Sequence, residues 1–73
     1  MIKEVVFIMC MLKGVVDSQN DGVSVLEIEP TVAAAPAWLI QVSNESFSTS
    51  VAEGDEVLLT AFIDRTYSQY CLD

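Results

Sequence analysis

The chain has 73 residues, 52% of them apolar, and carries 3 Lys and Arg against 11 Asp and Glu for a formal net charge of −8. That is one small domain over residues 1–73, too apolar for a disordered acidic tail and too acidic for a protein that grips a phosphate backbone, which needs a basic footprint. No His is present, which removes the commonest general base and the commonest metal ligand.

The first apolar run, Val5–Leu12, lies between Lys3 and Lys13. It is far shorter than a membrane span, Glu4 interrupts its basic flank, and no small-x-small cleavage site follows. We read it as a strand within residues 4–16 rather than a signal peptide. Both of its faces are apolar, so it is buried on both sides or lies at a subunit contact. Gly14 predicts a bulge or bend. The cluster 17–22, ending Asn20-Asp21-Gly22, predicts a hairpin turn, because these residues tolerate positive φ.

Residues 23–29 predict a second strand whose alternation slips. Val23 and Val25 share one face, Leu26 and Ile28 the other. That pattern suits a coiled sheet that changes its buried face. Pro30 ends the strand. Two prolines then frame an alanine-rich stretch, read as an apolar loop or single helical turn that docks on something. Trp38–Val42 alternates as a third strand. Phe47–Val51 reads as a short extended piece with a hydroxyl-rich middle. Glu53-Gly54-Asp55-Glu56 is a tight acidic turn. Val57–Ile63 is a second strongly apolar strand, and residues 64–73 form a polar-aromatic tail with room for a last short strand. Short strands punctuated by turns predict an all-β fold, a small five- to six-stranded barrel or sandwich, OB-like or SH3-like.

The stretch Val51-Ala52-Glu53-Gly54-Asp55-Glu56-Val57-Leu58-Leu59 resembles the turn-and-strand of such barrels. Taken with Met9-Cys10 and Gly14-Val15-Val16, it also resembles hydrogenase maturation chaperones of the HypC/HupF type. That resemblance implies an OB-like barrel and casts Cys10 as a thiol taking part in metal-cofactor delivery. Cys10 is not the second residue here, and the proline expected after it is absent.

No catalytic set stands out. Cys10 sits in an apolar run, which keeps a thiol inert, and Cys71 lies close to Asp73, whose charge disfavours thiolate. The two cysteines read as small buried apolar side chains in a reducing compartment. Bridging them would require the terminal strands to be neighbours. Glu27 with Glu29, and Glu53 with Asp55 and Glu56, read as an acidic solvated surface rather than an acid/base pair, since a chain this short has little room for a cleft. Asp17, Asp21 and Gly22 match three positions of a calcium loop, but Gln19 is a poor ligand at its third position and Ile28 stands where the bidentate Glu is needed. Asn44-Glu45-Ser46 fits a glycosylation pattern and reads as chance in a polar loop. Trp38 and Phe62 sit in apolar alternation, which favours packing over stacking on bases.

We therefore expect no enzyme, no cofactor, no metal, no direct nucleic acid and no membrane. The apolar excess points to a structural or assembly subunit that packs into a homo-oligomer or larger particle, with Phe7, Ile8, Trp38, Leu58 and Phe62 as candidate contact residues. A phage virion component, such as a capsid cement or tail-associated protein, fits this profile. The expected location is the cytoplasm or a virion. The alternative is an acidic nucleic-acid mimic that occupies the DNA-binding cleft of a host enzyme, using Glu27, Glu29, Glu45, Glu53, Asp55 and Glu56 as phosphate-like charges.

Overall fold

The computed structural model describes residues 3–72. Four strands form one antiparallel sheet: β1 (Phe7–Asn20), β2 (Val23–Ile28), β3 (Trp38–Ser43) and β4 (Glu56–Asp64). Their order is β3-β2-β1-β4, so three successive strands lie side by side and the fourth returns beside the first. This is the Greek-key order. The fold is all-β as expected, but the sheet is open, with β3 and β4 as its edges, and the described residues form no closed barrel of five or six strands. The two segments expected to add strands behave otherwise. Phe47–Val51 lays its apolar ends on the core and leaves its hydroxyl-rich middle exposed. The tail coils into a 3-10 turn at Arg65–Tyr70 and, among the described residues, contributes a single bridge, Leu72 to Met11.

β1 runs further than its sequence suggests. Ser18, Gln19 and Asn20 still pair with Val25, Ser24 and Val23, and only Asp21 and Gly22 form the turn. Their φ values of 51° and 77° are both positive, the requirement of a type I′ hairpin. The bulge falls between Val16 and Ser18, not at Gly14. Gly14 instead permits close approach: a Cβ there would meet the Glu27 carbonyl oxygen and Ile28 Cδ1 at 2.8 Å.

One face of the sheet holds the core: Leu12 and Val16 from β1, Leu26 and Ile28 from β2, Val57 and Ile63 from β4, capped by Tyr70. β2 keeps a single buried face, Ser24-Leu26-Ile28, instead of switching. The buried Ser24 is what makes its pattern look broken. Its hydroxyl donates to Asn44 Oδ1 and accepts from Gln19 Nε2, whose other bond goes to the Val51 carbonyl. That network meets the need of a buried hydroxyl for partners.

The proline-framed loop docks on the tail. Thr31 donates to the Gln69 carbonyl through both its backbone N–H and its hydroxyl, and the Tyr70 hydroxyl donates to the Pro36 carbonyl. Trp38 stacks on Tyr67 with ring centroids 4.7 Å apart.

Cys10 and Cys71 form a disulfide, their Cα atoms 5.6 Å apart and 61 positions apart in sequence. This corrects the expectation of two separate buried thiols. The Met11–Leu72 bridge brings the tail alongside β1, and each cysteine directly precedes one member of that bridge. The Cα radius of gyration is 13.1 Å, against about 11 Å for a compact chain of this length. The molecule is elongated to 42 Å, and the 14 residues of β1 set that axis.

Candidate interface

The face opposite the core is where the sequence leaves most apolar surface uncovered. On β1 it carries Phe7, Met9 and Met11, and on β4 Leu58 and Phe62, with Val5 just ahead of β1. Phe7 is 64% exposed, Met9 61%, Leu58 59% and Phe62 70%. Among the described residues, more large apolar side chains are exposed than fully buried. Exposed aromatic and methionine side chains gathered on one face are the usual mark of a contact surface.

Of the five expected contact residues, Phe7, Leu58 and Phe62 share this face. Ile8 and Trp38 point to the opposite side and pack against the core. Phe62 is thus a surface residue, contrary to its core-like alternation. Met9 and Met11 complete the patch. Nothing in the sequence marks them, because Cys10 and Leu12, which alternate with them, are equally apolar.

The ladder also fixes which backbone groups are free. At one end of the β1–β4 pair the Val16 N–H donates to the Asp55 carbonyl, and at the other the Arg65 N–H donates to the Val6 carbonyl. Hydrogen-bonded pairs alternate along an antiparallel ladder. In the observed register, Gly14, Leu12, Cys10 and Ile8 therefore bond with Val57, Leu59, Ala61 and Ile63. The N–H and C=O groups of Leu58, Thr60 and Phe62 point the other way, to the open edge, and no backbone partner meets them among the described residues. A groove of about 680 Å³ runs along part of this edge, between Phe47–Val51 and Val57–Thr60.

Charge gathers at the other end of the same face. Glu56 and Glu27 flank Val15 on either side, in register across three strands. Lys13 sits 3.8 Å from Glu29 and 3.6 Å from Glu56. Such exposed pairs contribute little each, but they partly neutralise the acidic surface here. Glu53 is exposed in the turn, whereas Asp55 helps to hold the turn together, its Oδ2 accepting from the Ala52 N–H at 2.9 Å. Gly54, at φ 89°, supplies the positive φ that this turn needs. The acidic residues are therefore split between a sheet face and a turn.

At the end of β4, Asp64 caps the following 3-10 turn, accepting from both the N–H and the hydroxyl of Thr66 at 2.9 Å. Those two bonds, helped by Lys3 and Arg65, hold its carboxyl below its ordinary pKa.

Cys10, the thiol implied by the chaperone resemblance, is tied up in the disulfide. Asp73, placed beside Cys71 by the sequence, lies outside the described residues. Comparison with protein-family models, curated proteins and solved structures finds no match to this chain.

Proposed function

We infer that the chain is a non-catalytic structural subunit that assembles through the apolar half of its exposed sheet face, with copies of itself or within a larger particle. The observation that carries this reading is the patch Phe7, Met9, Leu58 and Phe62, each more than half exposed on one side of the sheet. A contiguous apolar patch of this kind on so acidic a chain marks an interaction surface. A phage virion component, such as a capsid cement or tail-associated protein, is the setting that small size and assembly dependence fit best. Of the cytoplasm and the virion, the disulfide favours the virion, because cytosolic thiols are kept reduced.

Light scattering on a sizing column, across a dilution series, tests the reading. The expected result is a stable oligomer for the wild-type chain and a folded monomer for Phe62→Glu. A wild-type monomer at every concentration, with no partner captured from the particle, overturns it. A nucleic-acid mimic would instead bind a DNA-binding enzyme, compete with DNA, and lose that binding steeply as salt rises.

A further inference from the structure

We propose that a second copy of this chain joins edge to edge at β4, so that two four-stranded sheets become one eight-stranded sheet across a two-fold axis. This rests on the self-assembly reading above and adds its geometry.

Three observations carry it. First, β4 is an open edge whose outward backbone groups, on Leu58, Thr60 and Phe62, have no backbone partner among the described residues. Proteins blunt such edges with charge, proline or a bulge. The stretch Val57–Ile63 contains no charged residue and no proline. The other edge, β3, is shorter, and its outward residues Leu39, Gln41 and Ser43 lie away from the patch.

Second, the strand is its own complement. With the axis at Thr60, Leu58 lies opposite Phe62 of the partner and Phe62 opposite the partner's Leu58. Large apolar side chains then meet as cross-strand neighbours.

Third, the edge and the patch are contiguous: Leu58 and Phe62 belong to both, so pairing at β4 brings the exposed apolar side chains of the two copies together along the shared strands.

The same axis sets Glu56 against the partner's Asp64 at both ends of the paired strands. Added salt screens that repulsion, and the general repulsion between two acidic chains, so the dimer should tighten as salt rises. A contact made by opposite charges would weaken.

Amide hydrogen exchange on the wild-type chain, read by NMR above and below the concentration at which light scattering reports association, tests the proposal without altering the sequence. Val57, Leu59, Ala61 and Ile63, bonded within the chain, serve as internal references. The expected result is that the N–H groups of Leu58, Thr60 and Phe62 gain at least tenfold protection on association and lose it on dilution. If the chain associates while those three amides exchange as free groups, edge pairing is wrong and assembly through the face alone stands. Matching protection of Leu39 and Gln41 would mean β4 pairs with β3 of the next copy, which also overturns the two-fold arrangement. A chain that never associates removes both readings together.

Discussion

Met9 and Phe62 stand opposite each other across the β1–β4 ladder, at a pair where the two backbones exchange no hydrogen bond, and both point into solvent. Such pairs bring side chains closest and contribute about 0.2–1 kcal/mol within a chain. Truncating Phe62 to Ala should therefore cost under about 1 kcal/mol in the unfolding of dilute, monomeric protein. The same substitution should weaken association far more. Urea titrations at two protein concentrations separate the effects: the variant should lose most of the concentration dependence of the wild-type midpoint.

Leu12 offers the opposite case. It lies one residue from Met11 on β1 and is fully buried. Leu12→Ala should cost about 2–5 kcal/mol, because the cavity it leaves lies between strands that cannot close over it. The loss should be the same at every protein concentration, and a cost near that of Phe62→Ala would refute the assignment of the two faces.

Reducing the Cys10–Cys71 bridge frees a loop of 61 positions in the unfolded chain. Chain-entropy reasoning gives a loss of about 4 kcal/mol for a loop of that length. For a small domain with few buried residues, that is a large part of the total. Thermal unfolding with and without reductant should show it, and the double Ser variant should behave like the reduced chain in either condition.

Gly14→Ala should destabilise although the position is buried within a regular strand. The new Cβ would press on the Glu27 carbonyl oxygen, which is backbone and cannot turn aside. We expect about 1–3 kcal/mol, measured by denaturation, with β1 and β2 forced apart locally.

The Asp64 carboxyl, held below its ordinary pKa by Thr66, gives a pH signature. A group with a lowered folded pKa adds stability that is fully present above its unfolded pKa and disappears as pH falls through the folded value. The wild-type chain should thus lose stability across the acidic range below the usual carboxylate titration. Asp64→Asn should be less stable at neutral pH and show a shallower decline there. Parallel acid titrations of the two chains would contradict the capping role.

The turns were legible in the sequence because few residues accept positive φ: Asp21-Gly22 and Gly54 stand where the backbone demands them. The strands were legible from their Val, Ile and Phe content. Which face is buried was not, since β1 reads Phe7-Ile8-Met9-Cys10-Met11-Leu12 and both faces are apolar. Alternation carries no signal there, and for the same reason Phe62 looked like core. β2 misled in the other direction. Ser24 is polar yet buried, and its partner Asn44 comes from 20 positions away, beyond the reach of any local pattern. The disulfide was hidden likewise: it depends on the tail returning to β1, and only the fold supplies that proximity.

The bridge has a mechanical consequence. Pulled by its two ends, the chain carries the load through the sulfur–sulfur bond, and the ring from Cys10 to Cys71 feels no stretch. Residues outside that ring can be drawn out, but those within it cannot be lengthened by tension at the ends. With the bridge reduced, the sheet itself must bear the tension, through the hydrogen bonds between β1 and β4. As a clasp between neighbours in an assembly, the oxidised ring would hold its length and the reduced chain would unravel.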